Sequence, residues 1–323
     1  MIKICAIVYS IYLPDIRKNK ENILPVPVVF VVARDSMATC KIMDADSRHA
    51  EILARYMIEE KRKGARSTKD IPVEILVQLN KGVIQTANLV EWLAVDQREL
   101  LKNVLAESGR NDYLSYVLKC VDGLNKQTVN TINEAIGVGL LQQSIENTDF
   151  ELLDILARHP SDLVRCWATY TIGKNNNLSI NEKLKQIQAF AADKHFGVRE
   201  ICWMAVRESI AGNLSESLSL LSAWTNNEDE NVRRFVSEAT RPRGVWCAHI
   251  ETLKQDPAQG LIILEPLKSD NSRYVQDSVG NWLNDASKTQ PEFVKNLCAS
   301  WKQQSQSKET SYIIRKALRT IGK

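Results

Sequence analysis

The sequence predicts an all-α fold, a HEAT-like repeat solenoid (an α-α superhelix) with a short atypical extension at its N-terminus. Three observations carry that reading. Thirteen glycines and nine prolines in 323 residues are too few for an all-β sandwich or barrel, which must turn every few residues. Apolar residues after Met43 recur at helical spacing rather than in alternation. A branched residue followed by Arg or Gln then returns five times in the second half: Val164-Arg165, Val198-Arg199, Val232-Arg233, Val275-Gln276 and Ile314-Arg315. Intervals of 34, 34, 43 and 39 residues suit a helical hairpin, and such hairpins must stack to bury their apolar faces.

The elements follow in order. Residues 1–42 stand apart: PVPVVFVVA (26–34) is β-branched and bounded by prolines. It is either a short strand-like extension or not part of the fold, and no later segment offers a sheet for it to join. The apolar start, with one charge, two tyrosines and no small-residue cleavage site before Pro14, makes a poor signal peptide. From Asp46 to Glu60 runs an amphipathic helix. KRKGARSTKD (61–70) reads as a solvated hinge rather than a phosphate contact, since charge runs are mostly surface. Residues 43–150 form the N-terminal helical part, including a helix that begins near Pro72 and stops at Gly82. LVEWLAVDQRELLKNVLAES follows as one helical segment. Residues 151–323 hold the repeats, with partner helices such as NEKLKQIQAFAAD and LSESLSLLSAW between the signature helices. Asp162, Asp229 and Asn271 suit helix N-caps.

Composition narrows the function classes. With 44% apolar and 25% charged residues the chain is neither disordered nor fibrous, and no apolar run reaches the ~20 residues of a membrane span. Seven scattered cysteines read as reduced side chains of a cytoplasmic protein. The net charge of +3 hides 42 basic and 39 acidic groups, so an anionic partner must be met by local clustering. The four histidines are isolated and suggest no metal site. GVGL (137–140) lacks the Lys-Ser/Thr of a phosphate loop, so no nucleotide cofactor is expected. No Ser or Cys occupies a nucleophile elbow.

Acidic residues stand where a repeat protein binds. Glu200 lies two residues after Val198, Glu238 six after Val232, and Asp285 ten after Val275. Steps of four advance a helix by little more than one turn. The three carboxylates should therefore form a diagonal row across the second helices, which typically line the concave side. Arg233, Arg234, Arg241, Arg243 and Arg273 frame the row and could follow a phosphodiester backbone. Arg165 and Arg199 read instead as struts within the array. Trp246 and Trp203 are the candidate aromatic faces, although Trp203 and Trp282 sit at a spacing that usually marks core. Trp224 and Trp301 read as packing.

VRRFVSEATRPRGVW, followed by SRYVQDSVGNWLNDASK, resembles the AlkC and AlkD group of DNA alkylation-repair glycosylases, and AlkC more closely. The shared pattern is Arg233, Arg234, Ser237, Glu238, Thr240, Arg241, Pro242, Arg243 and Trp246, then Tyr274, Val275, Ser278, Val279, Asn281, Leu283, Asn284 and Asp285. Gly244-Val245 stands where the pattern has Leu-Pro. The resemblance spans roughly residues 185–300 and implies a HEAT-like solenoid that excises cationic alkylated bases from double-stranded DNA. It implies active-site roles for Asp285, Glu238 and Trp246, with Glu200 as the matching upstream glutamate, and no cofactor. A monomer is expected. The alternative is a non-catalytic helical module that binds DNA structures or a protein partner.

Overall fold

The computed structural model describes residues 62–322 together with two short strands upstream. The chain divides into two compact units, residues 1–63 and 64–323. In the first, β1 (Ile7–Tyr9) pairs antiparallel with β2 (Val28–Phe30), Val8 opposite Val29. The β-branched stretch thus finds its partner earlier in the chain rather than later. The helix expected over residues 46–60 lies outside the described residues.

The second unit is helical. Helix α1 (Val73–Asn80) begins directly after Pro72, and Gly82 follows with φ +73°. That left-handed turn, with His159 and Leu100 packed where a side chain would go, requires glycine. The segment expected as one helix breaks into α2 (Leu89–Ala94) and α3 (Gln97–Glu107). The Asp96 carboxylate accepts from the Arg98 and Glu99 amides, while the Asp96 amide donates to Asn80 Oδ1. A strong cap outcompetes helix continuation there. Helices α4 (Leu114–Asp122), α5 (Val129–Glu146) and α6 (Glu151–Ala157) complete the first half; a Thr128–Thr131 capping box starts α5.

The repeat region comprises α7 (Asp162–Gly173), α8 (Ile180–Ala191), α9 (Phe196–Gly212), α10 (Leu214–Ser222), α11 (Glu230–Ala239), α12 (Glu251–Gln255), α13 (Leu261–Leu267), α14 (Arg273–Ser287), α15 (Pro291–Gln304) and α16 (Lys308–Ala317). Helices α5, α7, α9, α11, α14 and α16 pack each on the next and make one layer; α8, α10, α13 and α15 lie against it. Val164, Val198, Val232 and Val275 are all buried between them, with Trp167, Trp203, Trp282 and Trp301 among the largest fully buried side chains.

The signature has a physical cause. Arg165, Arg199 and Arg233 each reach back through Nη1 to the carbonyls six and five residues upstream, at 2.8–3.0 Å. Those carbonyls belong to the turn that enters the helix, so the guanidinium fastens each hairpin's own connection. Arg165 and Arg233 also clamp an aspartate of the following repeat, Asp193 and Asp270, through Nε and Nη2. Gln276 makes the equivalent backward bond to the Asp270 carbonyl. The fifth copy departs: Ile313 rather than Ile314 is fully buried, and Arg315 lies exposed beside Tyr312. Of the expected caps, Asp229 accepts from the Asn231 amide. Asp162 instead lies inside the first turn of α7 and accepts from Thr86, and Ser272 rather than Asn271 precedes α14.

Candidate active site

The three carboxylates occupy successive helices of one layer: Glu200 on α9, Glu238 on α11 and Asp285 on α14. They are joined into an alternating chain of charge. Glu200 Oε1 lies 2.7 Å from Arg234 Nη2, which lies 3.5 Å from Glu238 Oε2. Glu238 Oε1 accepts from Arg241 Nη1 at 2.8 Å. Arg241 grips Asp285 Oδ2 through Nε at 2.8 Å and Nη2 at 2.7 Å. Lys288 Nζ closes the row, 3.2 Å from Asp285 Oδ1. Sequence spacing places the acids on one stripe; the two arginines, each three residues from Glu238 or four before it, fill the gaps between them.

Burial grades along the row. Glu200 is partly exposed, Glu238 and Asp285 are buried, and Lys288 at the end is half exposed. Burial alone would raise the Glu238 pKa. The neighbouring Arg234 and Arg241 charges, with hydrogen bonds from Arg241 and Ser278, outweigh it and hold the carboxyl below its ordinary value. Ser278 Oγ donates to Glu238 Oε2 at 2.7 Å and accepts from Ser237 Oγ at 2.8 Å. Tyr274, half-buried, lies beneath the Arg234 guanidinium at 4.7 Å and 5.6 Å from that of Arg199.

A loop leaves α11 at the centre of this row. Arg241 belongs to the row; Pro242 follows, and the Ile250 amide returns to the Pro242 carbonyl at 3.0 Å. Trp246 lies at the tip, 85% exposed and with φ +63°. Arg243 is half-buried and its Nε has no partner among the described residues. Beneath the loop lies Arg207 of α9, which sequence reasoning missed. Its guanidinium donates to the carbonyls of Ala239, Arg241 and Ala248 at 2.8, 2.6 and 2.9 Å. Its spacing of seven from Glu200, two turns along the same face of one helix, was the available signal.

Three expectations need correction. Trp203 is 1% exposed and has no face to offer a ligand; its indole N–H donates to Glu200 Oε2 at 3.0 Å. Arg233 is committed to Asp270 and to the turn before α11, so it is a strut like Arg165. Arg273 is exposed at the start of α14 but stacks on the Tyr312 ring, 3.2 Å from its centroid, apart from the row. Among the described residues no group of three His, Cys, Asp or Glu could hold a metal ion, and no helix is long and apolar enough to cross a membrane.

Residues 198–321 match the family described as DNA alkylation repair enzyme. The uncharacterized protein YhaZ of Bacillus subtilis (strain 168) is 37% identical over 142 residues, 44% of this chain and 38% of that protein. The Pseudomonas fluorescens alkylpurine DNA glycosylase AlkC, solved bound to DNA containing an abasic site analog, shares the fold with TM-score 0.55 and 22% identity, over 80% of this chain and 66% of that one. AlkD2 from Streptococcus mutans aligns with TM-score 0.51 and 22% identity, over 65% of this chain and 100% of that one. The chain thus spans less than two thirds of the length of YhaZ and of AlkC. The match over residues 198–321 bears out the resemblance read from the motifs at residues 233–285, and the two structures bear out the helical-repeat fold.

Proposed function

We propose that this chain, whose residues 198–321 carry the pattern of the DNA alkylation repair enzymes, is a monofunctional glycosylase that removes cationic alkylated bases from duplex DNA. The observation that carries the proposal is the alternating row ending at Asp285, with the exposed Trp246 on the loop that leaves Arg241.

An alkylated base such as N3-methyladenine already bears positive charge. It departs with the electron pair of its glycosidic bond, becomes neutral, and leaves an oxocarbenium-like sugar. No acid is needed to protonate the leaving group; fixed negative charge near C1′ and an oriented water are. Asp285 supplies both. Arg241 holds its Oδ2, while among the described residues Oδ1 meets the half-exposed Lys288, the side on which a sugar cation can replace that ammonium. Water adds to C1′ and gives its proton to Asp285. Glu238, kept ionised by its arginine partners, adds negative potential, and Glu200 fixes Arg234. The Trp246 face can stack on the cationic nucleotide, a contact worth ~0.5–2 kcal/mol. Arg243, half-buried on the loop and with its Nε unpartnered among the described residues, serves the phosphate backbone. The protein acts as a cytoplasmic monomer.

A second reading rests on one observation. Glu238 and Asp285 are already paired with arginine, so the row can equally be a strut in a non-catalytic DNA-binding module. Mass spectrometry of bases freed from methylated duplex decides between them, run beside a gel shift with lesion-free branched DNA. The glycosylase reading expects free 3-methyladenine; binding without any freed base supports the strut instead.

A further inference from the structure

We infer that Arg207 is the positioning residue for the Pro242–Cys247 loop, and that it acts on DNA only through the pose it imposes on Trp246. The second half of this statement rests on the proposed glycosylase function; the first does not.

Arg207 is 3% exposed. Among the described residues no carboxylate pairs with it, and its three hydrogen bonds all go to main-chain carbonyls. A buried cation spent on carbonyls is costly unless a defined geometry results. Here the acceptors are Ala239 at the end of α11, Arg241 at the start of the loop and Ala248 at its end, so one planar fork ties together both stems. Gly244 fits the same fork. A Cβ there would lie 2.9 Å from the Arg207 Cζ and against the Cys247 sulfur, so the absent side chain is what lets the loop lie down on the guanidinium. The result is a loop whose tip holds Trp246 with positive φ and its ring in solvent. A non-glycine residue stays in that region only where its surroundings over-determine it. Helix α9 therefore contributes twice, with Glu200 to the charged row and, two turns on, with Arg207 to the loop.

The loop contains its own reporter. Trypsin cannot cut between Arg241 and Pro242 but can cut after Arg243, and cutting needs the loop to lift from its seat. The experiment uses the full chain, free of DNA, and follows the cut after Arg243 against all other cuts by mass spectrometry. Arg207→Lys keeps the charge and loses the fork; Gly244→Ala disturbs the same contact from the loop side. Both should speed the Arg243 cut about tenfold or more while other cuts keep their parent rates. An unchanged Arg243 cut in both variants overturns the inference, as does a parallel rise at every site, which reports general loosening. With methylated duplex, Arg207→Lys and Trp246→Ala should each weaken binding several-fold, and the double variant should bind no worse than Trp246→Ala alone. Additive losses overturn action through Trp246. A parent protein that frees no base counts against the glycosylase reading alone and leaves the trypsin result to decide on Arg207.

Discussion

Trp246 bears two costs together: a left-handed backbone, worth roughly 1–2 kcal/mol for a residue with a Cβ, and an indole left in water. Neither contributes to folding, so the residue is the plainest candidate for a ligand contact. Trp246→Gly relieves the backbone and loses nothing packed; its thermal midpoint should stay within a few degrees of the parent's, while affinity for alkylated duplex falls. A large loss of stability would show that the ring packs in solution. His159 gives the residue-scale pH dependence. Burial, with the Arg165 charge, pulls its pKa down to about 4. An unfolded histidine protonates near 6.5, so between these values the unfolded chain binds the proton and the folded one does not. Stability from this group is complete above pH 6.5 and is lost as pH falls toward 4, by about 3 kcal/mol. His159→Asn preserves an acceptor for the Ser161 amide and should flatten urea-unfolding stability across that window; an equally steep profile would exclude His159 as its source.

At the scale of helices, close approach governs. Gly173 ends α7 where it crosses α9, and a Cβ there would press into the Ala205 carbonyl oxygen. Gly173→Ala must push the two helices apart, a cost of about 1–3 kcal/mol or more, read as a lowered urea midpoint at constant slope; an unchanged midpoint would mean that the crossing is slack. The repeat signature was legible in the sequence because its arginine acts locally, on carbonyls five and six residues back. Arg233 carries the same signature and makes the same local bonds, but its place beside Glu238 in the sequence suggested a ligand contact; its aspartate partner, 37 residues away, lies in a turn with no signature of its own. The break between α2 and α3 was missed because apolar spacing continues through Asp96, and only the tertiary bond from the Asp96 amide to Asn80 reveals that the cap wins. Trp203 was visible as core by its spacing, and its tie to Glu200 belongs to side-chain geometry that spacing does not carry.

Across the whole repeat array, the three acids recur at offsets advancing by four, a pattern legible in the sequence. What the offsets could not express is charge balance. Glu200, Glu238 and Asp285 alternate with Arg234, Arg241 and Lys288, so the row neither repels phosphate strongly nor exposes bare carboxylates. The folded Glu238 carboxyl, held low in pKa, supports the fold above its ordinary titration range and withdraws that support as pH falls through its lowered value. The proposed glycosylase reading puts the chemistry on Asp285, at the end of the row where, among the described residues, its Oδ1 faces a half-exposed lysine. The most direct measurement is the single-turnover rate of 3-methyladenine release by Asp285→Asn, taken with its thermal midpoint and its affinity for the methylated duplex. A folded, DNA-binding variant whose release is slowed about 100-fold or more is the predicted result. Release at the parent rate from an equally well folded variant would contradict it.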